Sequence, residues 1–93
     1  MEKVNQEIVD MIDQNFGELL EQLKKSRGYS LYKISEKTNL SPSFIHRIIK
    51  GFRGCELSTK LNILINGFEM EKEVEEFLKR VVANKEALKK IND

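Results

Sequence analysis

Residues 39–54 read NLSPSFIHRIIKGFRG, the pattern of a short helix with two unlike sides. Ser41 is a good N-cap, Pro42 suits the first helical position because its missing amide hydrogen costs nothing there, and Gly51 marks the end. At about 100° per residue, Phe44, Ile45, Ile48, Ile49 and Phe52 fall within an arc of about 140°, and Ser43, His46, Arg47 and Lys50 within an opposite arc of about 100°. The first arc predicts a buried face. The second contains no carboxylate, whereas surface helices commonly mix signs, so it offers hydrogen-bond donors and positive charge. The helix N-terminus adds backbone amides and the positive end of the dipole, both suited to a phosphate.

Working outward, Ser30 predicts the N-cap of a preceding helix whose Leu31, Ile34, Ser35 and Thr38 share a face. Only Asn39, Leu40 and Ser41 join the two helices, and Asn39 tolerates the left-handed conformation a tight turn needs. Two helices so joined must cross sharply, the helix-turn-helix arrangement, with small Ser35 at the close approach. Upstream, Val4, Ile8, Met11 and Ile12 and then Phe16, Leu19, Leu20 and Leu23 follow helical spacing. Asn15 and Glu18 fit a capping box and Gly17 weakens the helix, which predicts two helices or one bent one; Gly28 is a strong stop. Downstream, Ser58 is expected to start a helix lined by Leu57, Leu61, Leu64, Ile65 and Phe68 and ended by Gly67. A last helix from about Glu71 carries Val74, Phe77, Leu78, Val81, Val82, Leu88 and Ile91. No stretch alternates as a strand would, so the fold class is all-α.

A chain of 93 residues builds one modest core and leaves little room for an enclosed catalytic cavity, so a non-enzyme is expected. Cys55 is alone and cannot form an internal disulfide, and the acidic start MEKVNQEIVDMIDQ lacks the apolar core of a signal peptide. A cytoplasmic protein is expected, nucleoid-associated when bound to DNA, without a membrane span. The net charge of +1 conceals a strong asymmetry: residues 1–22 carry −5, residues 23–60 carry +7 and residues 61–93 carry −1. A basic middle third fits a chain that meets a polyanion over one limited surface. In a helix-turn-helix the second helix can enter the major groove, where all four base pairs differ. Arg47 is then the candidate for a bidentate guanine contact, Ser43 and His46 for neighbouring bases, and Lys50 and Arg53 for phosphates. His46 is the sole histidine and has no metal-ligating partners nearby, so no metal or cofactor is expected. Cys55 reads as a partly buried small residue, with redox sensing as the alternative. Tyr32 reads as either core or a backbone contact.

The stretch FGELLEQLKKSRGYSLYKISEKTNLSPSFIHRIIKGFRG, residues 16–54, closely resembles the phage-repressor and Cro-like helix-turn-helix family, also called the XRE family. The resemblance rests on Arg27 and Gly28 ending one helix, Ser30 opening the next, NLS at the turn and IHRIIKG closing the third. It implies a lambda-repressor-like bundle of about five helices that binds double-stranded DNA, usually as a bacterial or phage transcriptional regulator on a two-fold-symmetric operator. Pro42 stands where the family often reads a base and would offer an apolar contact, for example to a thymine methyl. Ser30, Lys33 and Ser41, at the two helix starts, join Lys50 and Arg53 as the expected phosphate contacts. The chain departs from the family pattern in four places. Leu31 replaces a phosphate-holding glutamine, Asn39 the turn glycine, Ile49 a glutamate, and Cys55 stands near a usual proline.

The expected organisation is an N-terminal helical extension over residues 1–13, the DNA-binding domain over 14–68, and a C-terminal helix over 69–93. In that helix Val74, Phe77, Val81, Asn84, Leu88 and Ile91 form a heptad-like stripe longer than the core requires. Val81, Asn84, Leu88 and Ile91 are therefore the expected contacts of a homodimer, with burial inside the monomer as the alternative. The principal expectation is a repressor that binds a palindromic operator. The rival is the same fold serving as a protein-interaction module, an antitoxin, anti-repressor or adaptor, as the acidic first 22 residues would suit.

Overall fold

Local chemistry sets most of the helix boundaries. The computed structural model describes the backbone of residues 4–92 and the side chains of residues 4–84, and every regular element among them is helical. Helix α1 spans Gln6–Gln14, and the Asn5 side chain accepts hydrogen bonds from the amides of Glu7 and Ile8. Asn15 then breaks the chain into two helices: its amide closes α1 on the Met11 carbonyl, and its side chain accepts from the Glu18 amide to open α2, Phe16–Arg27. Only half of the expected capping box is thus made, because the Glu18 carboxylate accepts from Gln22 instead. Gly28, at φ 65°, ends α2, and Ser30 opens α3, Leu31–Thr38, by accepting from the Lys33 amide at 3.0 Å. Asn39 takes the left-handed conformation (φ 62°) in the short turn to α4, Pro42–Ile49, which Ser41 caps through the Phe44 amide at 3.1 Å.

Beyond α4 three expectations fail. Phe52 is not on the buried arc, because the helix stops at Ile49 and the chain reverses at Gly51 (φ 76°), which carries the ring off the helical wheel to 79% exposure. Ser58 does not start the next helix: the Lys60 amide bonds to the Glu56 carbonyl at 3.0 Å, so α5 begins earlier and spans Leu57–Asn62. Leu57, placed at that first position, is exposed rather than lining the apolar side. Helix α5 runs into a single π turn, Ile63–Gly67, before α6, Glu71–Asn92.

One hydrophobic core unites the elements. Leu19, Leu20, Ile34, Ile45, Ile63 and Phe68 are fully buried, and α1 adds Val9 and Ile12 while its Val4, Ile8 and Met11 are only partly covered. Helix α6 closes the bundle against α1 and the π turn through Val74 and Phe77, and Arg80 ties it to Asp10 and Gln6 of α1. The one buried polar side chain among the described residues, Thr38, donates its hydroxyl to the Ile34 carbonyl at 2.8 Å. Six α-helices and no strand among the described residues make an all-α bundle.

Candidate nucleic-acid interface

Helix α4 owes its two-sidedness to the residues the wheel separates. Ile45 and Ile48 are buried, Phe44 and Ile49 are partly covered, and Ser43, His46, Arg47 and Lys50 are exposed. Pro42 is half-buried at the first helical position. Helices α3 and α4 pack directly against one another, and α4 also lies against α2. Gly17 makes the second contact close: a Cβ there would stand 2.5 Å from the Ile48 carbonyl oxygen.

Most cations of the basic middle third have a partner within the chain. Arg27 donates to the Phe68 carbonyl at 3.0 Å, and Lys60 donates to the Ile12 carbonyl at 2.8 Å. Lys25 pairs with Glu21, Lys37 lies over the Tyr29 ring, and the Arg53 guanidinium lies 4.5 Å from the centre of the Phe44 ring. Lys33, Arg47 and Lys50 are exposed and form no ion pair or side-chain hydrogen bond among the described residues. The fold thus spends much of the +7 on itself and leaves a smaller set of cations for a partner.

Helix ends reinforce this polarity. Helices α1, α2 and α6 carry Glu7, Glu18 and Glu71 in their first turns, which oppose the positive end of each dipole, but α3, α4 and the short α5 have no acidic residue there. The capping hydroxyls of Ser30 and Ser41 use a lone pair to accept a backbone amide, which leaves the Ser30 O–H able to donate to an anion, while the Ser41 hydroxyl also lies 3.5 Å from that of Ser43. On the far side of Lys50 and Arg53, a shallow cleft of about 470 Å³ is also lined by Asp13 and Glu18, which puts carboxylates at the border of the cationic region.

Tyr32 and Phe52 are exposed aromatic residues next to these cations in sequence. The exposure puts Tyr32 outside the core, and Phe52, which the helical wheel assigns to the buried arc, stands open because Gly51 ends the wheel before it. Cys55 is half-buried in the loop before α5. Burial pushes its thiol above the usual range, and the nearby Lys60 and Arg53 charges pull partly back. The resulting low thiolate content fits an unreactive structural cysteine. In the expected dimer stripe, Val81 packs partly against the core and Asn84 is exposed, while Leu88 and Ile91 have side chains outside the described residues. No three His, Cys, Asp or Glu side chains among the described residues gather within reach of one metal ion, and no helix there is long and apolar enough to cross a membrane. Comparison with known proteins finds no matching family model, no matching curated protein and no matching solved structure.

Proposed function

We propose that this chain is a sequence-specific DNA-binding transcriptional regulator of the phage-repressor and Cro-like type, a repressor that occupies a palindromic operator as a homodimer. The observation that carries the reading is the exposed side of α4, where Ser43, His46, Arg47 and Lys50 stand without a carboxylate and both cations lack intramolecular partners among the described residues. The close packing of α3 on α4 across Asn39, Leu40 and Ser41 suits a helix-turn-helix, and the acid-free first turns of both helices suit phosphates. In this reading Arg47 reads a guanine edge, and Pro42, Ser43 and His46 meet neighbouring bases. Ser30, Lys33, Ser41, Lys50 and Arg53 hold the backbone. In this reading repression works by occupying the promoter.

Selection of bound sites from random duplexes tests the reading, and recovery of an inverted repeat supports both DNA recognition and two-fold symmetry. On the recovered site, Arg47→Ala costs about 1–3 kcal/mol and relaxes preference at one base pair. Lys50→Ala weakens all sequences alike and lowers the slope of log K against log salt by about 1. Small and equal losses from both, with no change in preference or slope, refute the assignment. A protein-interaction module is the second reading, and the exposed apolar Val82 of α6, beside the partly buried Leu78, favours it. Retention of a second polypeptide on purification, with no duplex retarded at moderate salt, would decide for it.

A further inference from the structure

We infer that Phe52 is a further DNA-contact residue, its ring seated on an apolar carbon of the duplex beside the phosphates held by Lys50 and Arg53. That carbon is either the C5 methyl of a thymine or the C2′ methylene of a deoxyribose. The inference rests on the DNA-binding reading above and adds to it a residue that the helical wheel places in the core.

Two helix ends in this chain provide the comparison. Helix α2 closes with the Gly28 amide on the Lys25 carbonyl (3.2 Å) and the Tyr29 amide on the Lys24 carbonyl (3.0 Å). Helix α4 closes in the same way, with the Gly51 amide on the Ile48 carbonyl (3.1 Å) and the Phe52 amide on the Arg47 carbonyl (3.0 Å). Both are left-handed glycine closures followed by an aromatic residue, and such a residue commonly packs back on its own helix. Tyr29 is packed, stacked on Phe68 with ring centres 5.5 Å apart. Phe52 is left open, and at 79% it is the most exposed of the large apolar side chains among the described residues. The closure therefore does not force a ring into water; the surroundings of Phe52 do.

Those surroundings identify the partner. The Phe52 backbone is tied to Arg47, and its chain neighbours are Lys50, Gly51, Arg53 and Gly54. An apolar protein surface covering this ring would also cover the cations that flank it in the chain, Lys50 and Arg53, without compensating them. Duplex DNA meets both demands, because its phosphates take the cations while methyl and sugar carbons lie between the phosphate rails. The hydrogen bond to the Arg47 carbonyl fixes the backbone of Phe52 before binding, so only its side-chain rotamer is left to order on contact.

Equilibrium binding of the full chain and of Phe52→Ala to the selected duplex tests this, together with copies in which one thymidine is replaced by deoxyuridine or one deoxynucleotide by its ribonucleotide. Phe52→Ala is expected to weaken binding about fivefold, as for a partly buried apolar contact. It should leave the salt slope unchanged, because no charge is removed. At one position, an altered duplex should weaken the wild-type chain by a similar factor and not affect the variant further. A deoxyuridine effect identifies the methyl, and a ribonucleotide effect the sugar. Equal affinity of both proteins for the parent duplex, or no position at which an altered duplex distinguishes them, overturns the inference and leaves the DNA-binding reading standing. A lowered unfolding midpoint for Phe52→Ala shows the ring supporting the fold and overturns it too. If neither protein retards any duplex, the DNA-binding reading fails and takes this inference with it.

Discussion

Gly17 lies where α2 crosses the end of α4, and a methyl group there would press on two backbone carbonyls, at 2.5 Å from the oxygen of Ile48 and 3.2 Å from that of Ile49. Backbone cannot swing aside as the tip of a side chain can, so the helices must separate. Gly17→Ala, which would stabilise an isolated helix by up to about 1 kcal/mol, is therefore expected to destabilise this protein by about 1–3 kcal/mol. A urea titration followed by circular dichroism measures the change, and a raised midpoint would show that the crossing is loose. Because Ile48 and Ile49 are on the helix that bears Arg47, the same substitution should also disturb the proposed interface. From its neighbours in the chain, Gly17 reads as a weak point in a helix. The carbonyls that require it are remote in sequence, and no periodicity announces them. Asn39 was legible for the opposite reason: a tight turn between two patterned helices needs a left-handed residue, and the structure places one there at φ 62°.

Helix starts and helix ends differ in how far their chemistry reaches. Asn15, Ser30 and Ser41 cap from within three residues, a range over which residue type and spacing suffice, and all three were readable. Several helix ends are completed instead by side chains from elsewhere. Lys60 donates to the Ile12 carbonyl near the end of α1, Asn62 to the Thr38 carbonyl at the end of α3, and Arg27 to the Phe68 carbonyl after the π turn. Helix α1 has no basic residue in its own last turn, so Lys60 supplies that charge from α5. Lys60→Met keeps most of the aliphatic stem and removes the ammonium group. It should lower stability by about 1–2 kcal/mol, read as a shift in the urea midpoint at unchanged m-value. A shift below about 0.3 kcal/mol would mean that water satisfies the Ile12 carbonyl equally well. The same long-range bonds explain why segment charge overstated the cationic surface: composition counts every lysine and arginine, but Lys60 and Arg27 turn inward to carbonyls. The two-sidedness of α4 survived because it depends on one helix alone.

At the scale of the molecule, α6 is the longest element. Its 22 residues extend about 33 Å at 1.5 Å each, within overall dimensions of 47 × 35 × 19 Å. One side of α6 is used by the bundle, where Val74 and Phe77 are buried, Val81 is partly covered and Arg80 bridges to α1. Another carries the partly buried Leu78 and the 55%-exposed Val82 in an open apolar patch, flanked by Glu75 and Lys79. Leu78 and Val82 thus offer the proposed homodimer an apolar contact beside the expected Val81 and Asn84. Glu75 and Lys79 already pair with each other along the helix at 3.5 Å, so two copies related by a two-fold axis would set one such pair beside the other at the edge of the apolar contact. Val82→Glu, which places a carboxylate at the centre of that contact, should convert a dimer to a monomer in sedimentation equilibrium and leave the unfolding midpoint of the monomer unchanged. Because a palindromic operator is held by two linked half-site contacts, the same variant should bind it much more weakly while its affinity for a single half-site stays constant. Wild-type chain that sediments as a monomer throughout the concentration range in which it binds the palindrome would rule out this face as the source of the symmetry. The two half-sites would then be linked through the DNA.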